Sequence, residues 1–249
     1  MSTPGTITED ALLDGAVTIF QPETGFRAGT DSVLLGGSVA ELKVKGPKFA
    51  EFGCGVGGAL FPAMFHLQDA NFTAVEKIAA MAALTRRGAE ANHVSDRLDV
   101  VESCVKAFAA RHENSFDLVF SNPPYFEAGK LAAPGRGKEE AYIESISLDD
   151  WLKAMLFAAR PQAYIVLIHR AAELARILTR LDKQAGQITL LPIRPYPGGE
   201  ASRILVHARK GLRSGPVRML AGLDLHVAKG GALSERAEGV LRGQPLEWR

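Results

Sequence analysis

The run Asn122-Pro123-Pro124-Tyr125 is where the sequence first presents a constellation fit for chemistry. It follows the apolar stretch FDLVFS, which reads as a buried strand, and its prolines cannot continue that strand. Two prolines remove backbone donors and fix φ, so they hold the Asn122 amide and the local carbonyls in a rigid, outward-facing turn. The side-chain carbonyl of Asn122 and the backbone carbonyl of Pro123 are two fixed acceptors that match the two hydrogens of an exocyclic –NH2. Tyr125 offers a flat face on which a planar base or amide can stack. Gripping both hydrogens draws electron density onto a delocalised nitrogen and aims its lone pair at an electrophilic methyl carbon. Positioning and electrostatics then carry a transfer without a histidine base or a metal.

A second constellation, EFGCGVGG, spans Glu51 to Gly58. Gly53, Gly55 and Gly58 have the GxGxxG spacing, at a point where a strand turns into a helix. Glycines there let a ligand approach the backbone and leave amide N–H groups facing it. Glu76 closes the next strand about 20 residues on, where a carboxylate can accept hydrogen bonds from both hydroxyls of a ribose. The spacing admits either a dinucleotide or S-adenosylmethionine. Glu51 favours the second, because a carboxylate repels a pyrophosphate and attracts a sulfonium and an ammonium.

Both constellations need a scaffold that brings strand ends together, and the rest of the chain predicts one. From residue 48 onward, strand patterns (KFAEF, NFTAVE, RLDVVE, FDLVFS, AYIVLIH) alternate with helical ones, among them one over about 148–159 and AAELARILTRLDKQ after the fifth strand. Such alternation implies a parallel sheet covered on both faces. QITLLPI and SRILVHA have no room for a helix between them and pair as an antiparallel terminal hairpin. The expected fold is therefore α/β, a doubly wound, seven-stranded, mostly parallel sheet. Ahead of it, Asp14-Gly15 sits between apolar runs and marks a hairpin, and Thr30 or Asp31 is placed to cap a short helix. A single domain over 1–249 accounts for the chain: hairpin and covering helix in 1–47, core in 48–210, and a C-terminal extension in 211–249 with a strand and a short helix.

Composition narrows the class. The apolar fraction of 47% and charged fraction of 23% suit a globular core, and a net charge of +1 gives no global field toward nucleic acid or membrane. There is no secretory leader pattern at the N-terminus and no apolar run long enough to span a bilayer, so a cytoplasmic location without a membrane partner is expected. Six histidines lack metal-ligand spacing, which predicts no metal, and the two cysteines, Cys54 and Cys104, read as free thiols.

With these motifs in view, the chain resembles the class I S-adenosylmethionine-dependent methyltransferases of the N-methylating NPPY group, with their Rossmann-like fold. It most resembles the bacterial family that methylates N6 of an adenine beside the anticodon of a valine tRNA. The resemblance rests on QPETGFRAGTDSVLLGG, EFGCGVGG, VEK, FSNPPYF and RILVHARKG. It implies that Arg27, Gly29, Thr30 and Asp31 line the methionine end of S-adenosylmethionine, that Glu51, Gly53 and Gly55 form the turn beside it, and that Glu76, with Lys77 following, meets the ribose. It also implies that Asn122 to Tyr125 hold the target amine. One departure stands out: VVESCV places Cys104 where such enzymes often carry an acid toward the adenine, leaving a backbone group or Glu102 for that contact.

For the acceptor, the loop over 126–147 carries Lys130, Arg136 and Lys138, which could meet phosphates or stay solvated. The segment 203–218 holds Arg203, Arg209, Lys210, Arg213 and Arg218 without an acid, a local basic stripe of the kind that contacts an RNA backbone, although edge strands also carry such charges. The expected partner is RNA, most simply tRNA, with tRNA modification as the role. N5 of a protein glutamine, a non-catalytic cofactor- or RNA-binding module, and distantly a dehydrogenase remain the alternatives.

Overall fold

A computed structural model describes residues 6–24, 27–124 and 146–249. Tyr125, Lys130, Arg136 and Lys138 lie outside the described residues.

Strands β1 (Ile7–Leu12) and β2 (Val17–Pro22) form an antiparallel hairpin. Its turn carries positive φ at Leu13, Asp14 and Gly15, as the Asp-Gly signal predicts. Helix α1 (Thr30–Ala40) follows. The main sheet then builds from β3 (Lys48–Phe52), β4 (Asn71–Glu76), β5 (Leu98–Glu102), β6 (Phe116–Ser121), β7 (Ala159–Arg170), β8 (Ala185–Arg194) and β9 (Arg203–Lys210). Two short strands, β10 (Arg218–Met219) and β11 (Leu223–Asp224), pair with β8 and extend that edge. Helices α2 (Leu60–His66), α3 (Ala79–Ala91), α4 (Val105–Ala109), α5 (Leu148–Ala158), α6 (Leu174–Leu181) and α7 (Glu235–Leu241) complete the described elements.

The sheet order is β10-β8-β9-β7-β6-β3-β4-β5. Neighbours from β7 to β5 run parallel, and β9 is antiparallel to both β7 and β8. This is the expected doubly wound sheet with its antiparallel hairpin, but with nine strands rather than seven, because the tail adds β10 and β11 along β8. The C-terminal tail contributes the helix expected of it and two strand fragments rather than one strand.

Alternation along the central strands divides the core into two layers. Phe49, Leu118, Phe120, Val166 and Ile168 pack on one face with α1 and α2, and Phe52, Val119, Ile165 and Leu167 pack on the other with α5. Every residue of β6 is buried, as a strand covered on both faces requires. Helix α5 shows why its sequence is helical: Leu148, Trp151, Leu152, Met155 and Leu156 are buried at i, i+3, i+4, i+7 and i+8, and Ser147 caps the first turn by accepting the Asp150 amide at 3.1 Å. Truncating Leu152 or Met155, both fully buried, costs about 2–5 kcal/mol.

The hairpin is tied to α3, where Asn92 bonds both the amide (2.8 Å) and the carbonyl (2.6 Å) of Thr18 and Arg87 lies 3.7 Å over the Phe20 ring. Helix α1 packs closely on α2, since a Cβ at Gly36 would meet the Ala59 carbonyl at 2.5 Å. From the other side the tail holds it, with the Leu246 amide bonded to the Gly37 carbonyl and the Trp248 indole to that of Ser38. None of the described helices is long and apolar enough to cross a membrane.

Candidate active site

The site follows from strand order. The chain leaves β3 toward β4 on one side, and leaves β6 toward β7 on the other, so the neighbours β3 and β6 form the topological switch point. Ligands of open α/β sheets bind in the crevice beyond the carboxyl ends of such strands. Beyond β3 lies the glycine turn, and beyond β6 lies Asn122-Pro123-Pro124. The structure thus brings together the two constellations that stood 64 residues apart, counting from Gly58 to Asn122.

Several hydrogen bonds freeze the glycine turn. The amides of Gly53 and Cys54 both donate to the Val75 carbonyl, at 2.8 and 3.1 Å. The Gly55 amide donates to Glu76 Oε2 at 2.9 Å, and Thr85 Oγ1 on α3 donates to the Gly55 carbonyl at 2.7 Å. Gly55 has φ +56°, and among the described residues nothing lies within 4 Å of where its Cβ would stand. Its missing side chain therefore leaves open space at the turn. Gly53 has φ +70°, and a Cβ there would meet the Trp151 ring at 2.9 Å.

Two carboxylates face this turn. Glu76 is buried at the end of β4, with Oε1 accepting the Ile78 amide at 2.9 Å. Glu51 lies on the α1–α2 face of β3, is 2% exposed, and has no hydrogen-bond partner at Oε2 among the described residues. Burial first, and then the charge of Glu76, push its pKa well above the ordinary carboxyl value, opposed by a hydrogen bond from the Leu60 amide. A buried acceptor left open beside a second acid is a site short of a cation or a donor. An ammonium or sulfonium supplies that, whereas a pyrophosphate would face two carboxylates. These residues fit S-adenosylmethionine.

The Ser103 amide donates to the Glu76 carbonyl at 2.9 Å, which draws the β5 turn alongside. Cys104 then sits exposed at the N-cap of α4, and Glu102 is the register partner of Glu76. Lys77 is exposed just after Glu76.

The segment ahead of α1 is held differently from the sequence expectation. Gly29, not Thr30 or Asp31, is the N-cap, and among the described residues no side chain caps that end. Asp31 instead pairs with Arg203 Nε at 2.7 Å. The Arg27 guanidinium turns to the hairpin, meeting Asp10 at 2.8 Å, Thr8 at 3.1 Å and the Pro22 carbonyl at 2.9 Å. Arg27 therefore anchors the segment through the hairpin.

The basic stripe is divided. Because β9 runs antiparallel, Arg203 lies opposite Arg170 at the carboxyl end of β7, on the site side. Arg209 and Lys210 lie about 20 Å away along the strand, at the other end of the sheet. There Arg209 bonds the Gln162 carbonyl and lies 5.0 Å over the Tyr164 ring, and Lys210 bonds Asn114 and the Ala159 carbonyl. The expectation of one continuous stripe fails for this reason. Sequence reasoning also missed Ser121 and Trp151, beneath the crevice; the signal was a polar residue closing a strand whose preceding three residues are apolar.

Comparison with known proteins agrees with this fold. Residues 32–134 match the model of the methyltransferase small domain. The chain is 31% identical over 186 residues to the tRNA1(Val) (adenine(37)-N6)-methyltransferase of Yersinia pseudotuberculosis, covering 72% of this chain and 71% of that one. Among solved structures, a predicted O-methyltransferase from Agrobacterium tumefaciens superposes with a TM-score of 0.71 at 26% identity, over 88% of this chain and 99% of that one. M. jannaschii TYW2 in complex with AdoMet shares the fold, with a TM-score of 0.60 at 9% identity over 85% and 90% of the two chains.

Proposed function

The chain belongs to the methyltransferase small-domain family and is an S-adenosylmethionine-dependent methyltransferase, and we propose that its acceptor is the exocyclic N6 of an adenine in a tRNA loop. The observation that carries the reading is the meeting of the Asn122-Pro123 turn with the glycine turn across the β3–β6 crevice. Relatives named for adenine-N6 methylation of a valine tRNA support the choice of acceptor.

S-adenosylmethionine supplies an electrophilic methyl group on a positively charged sulfur. Everything else falls to the chain. Glu51 and Glu76 provide the negative environment that holds a cationic ligand, with Glu76 also placed to accept from ribose hydroxyls. The Asn122 side-chain carbonyl and the Pro123 carbonyl accept the two hydrogens of the amine, fixing its plane and orienting its lone pair. Tyr125 provides the stacking face for the base. An adenine in a loop enters such a pocket without the cost of opening a duplex. A tRNA acceptor supports a cytoplasmic location.

The test is transfer of label from methyl-labelled S-adenosylmethionine to bulk tRNA, with a release factor as parallel acceptor. Label recovered as N6-methyladenosine is the expected result, and valine tRNA is the first species to isolate. Asn122→Ala should lower turnover about 100- to 1,000-fold while leaving cofactor binding intact. Label in the release factor alone would move the acceptor to a glutamine amide.

A further inference from the structure

Ser121 ends β6, is fully buried, and faces the α5 side of the sheet. Its hydroxyl donates to the Phe52 carbonyl at 2.6 Å and accepts the Trp151 indole N–H at 2.9 Å. Phe52 is the last residue of β3, immediately before Gly53, and Ser121 immediately precedes Asn122. The backbone pairing of β3 with β6 ends at Glu51 opposite Phe120. The Ser121 side chain therefore adds one more rung to the ladder, at the point where the strands part to form the crevice. Trp151 completes the device, because the same ring that bonds Ser121 also lies directly against Gly53, where it leaves no room for a Cβ.

We propose that Ser121 and Trp151 are positioning residues: their hydrogen-bonded relay to the Phe52 carbonyl sets the separation between the cofactor turn and the amine-binding turn. The inference rests on the methyl-transfer reading and extends it to residues that touch neither substrate. Its physical basis is the steep dependence of transfer on alignment, since a displacement of about 1 Å can cost about 100-fold in rate. The relay has no donor or acceptor aimed at a ligand, so its loss should fall on turnover rather than on binding. Serine is suited to the position because one hydroxyl both donates and accepts. Alanine would leave two buried groups unpaired without changing the shape of the site.

The experiment compares Ser121→Ala, Trp151→Phe and the double variant with the unaltered protein. Readouts are kcat and KM on tRNA, cofactor Kd by calorimetry, and the Trp151 indole N–H resonance by NMR. Each single variant should lose about 10- to 100-fold in kcat, with KM and Kd within about threefold, and the double variant should be no slower than the slower single one. Cofactor addition should shift the Trp151 resonance in the unaltered protein and by clearly less in Ser121→Ala, where only the ring's contact with Gly53 remains. Unchanged kcat in Ser121→Ala, a loss confined to KM or Kd, or an indole resonance that ignores the cofactor would each overturn the proposal. If the unaltered protein methylates no tRNA but its indole resonance responds to cofactor through Ser121, the acceptor assignment falls and the relay stands.

Discussion

The Glu76 carboxylate bonds the Gly55 amide and the Ile78 amide at 2.9 Å each, one through each oxygen. It therefore shapes the glycine turn from behind. A carboxylate can do this because both its oxygens accept. Glu76→Gln would turn an NH2 toward one of the two amides. We expect both Glu76→Gln and Glu76→Ala to weaken S-adenosylmethionine binding by about 10- to 100-fold, the worth of charge-assisted hydrogen bonds of about 1.5–3 kcal/mol. Calorimetry with the cofactor alone measures it. A Gln variant that binds normally would show that the carboxylate does not organise the turn.

Glu76 was legible in the sequence because everything that defines it is local: an apolar strand, a terminal acid, and a glycine turn one strand earlier. The same holds for Asn122 and for the sheet as a whole, since alternation and strand length are properties of short windows. What sequence could not show were pairings that only the fold creates. Asp31 reads as a helix cap, yet its carboxylate goes to Arg203, 172 residues away. The family resemblance sets Arg27 beside the cofactor, and only the fold shows that its guanidinium also pairs with Asp10 on the hairpin. The basic residues of β9 read as one surface because they are contiguous, but an eight-residue strand spans the sheet and delivers its two ends to opposite sides of the molecule.

Glu51 predicts a pH-dependent affinity. Burial and Glu76 raise its pKa well above 4.5 in the free protein, so the folded state holds a proton that the unfolded chain has already released. Folding stability from this group is therefore greatest below about 4.5 and falls as pH rises toward the raised pKa. A cationic ligand favours the ionised form, so binding should release a proton and tighten with rising pH over that same window. Calorimetric titrations in buffers of differing ionisation enthalpy would record the proton. Glu51→Gln should release none, bind with flatter pH dependence and weaker affinity at the upper end, and leave the ligand-free protein at least as stable.

The divided stripe predicts a division of labour. Arg203 stands on the site side, where it pairs with Asp31 at the first turn of α1, and Lys210 stands at the far end. Arg203→Gln should impair turnover on tRNA. Lys210→Met should leave tRNA affinity and its salt dependence unchanged and instead cost about 1–3 kcal/mol in stability, because the Ala159 carbonyl loses a charged donor. Urea unfolding and tRNA binding across a salt series separate the two effects. A salt slope reduced by about 0.7 in Lys210→Met would mean that both ends of β9 reach the RNA.

His207 should set the acid limit of the fold. It sits on β9 between Tyr164, at a centroid distance of 5.7 Å, and Trp248, at 4.5 Å, with Nδ1 buried and unpartnered among the described residues. Burial, and then the charge of Arg218, push its pKa down to about 4. In the unfolded chain it titrates near 6.5, so between those values the unfolded state binds the proton that the folded state excludes. Stability is complete above about 6.5 and is lost as pH falls toward 4, by up to about 3 kcal/mol at 1.36 kcal/mol per unit. Its neighbour Trp248 also bonds the Ser38 carbonyl of α1, so protonation would loosen the tail from the helix that borders the crevice. Because Glu51 contributes with the opposite sign over part of this range, the test is the difference between variants: in urea unfolding at pH 4 to 7, His207→Gln should lose less stability on acidification than the unaltered protein. His169 and His66, whose pKa values burial also lowers, would account for the remainder. An unchanged slope in His207→Gln would assign the acid sensitivity to those two histidines instead.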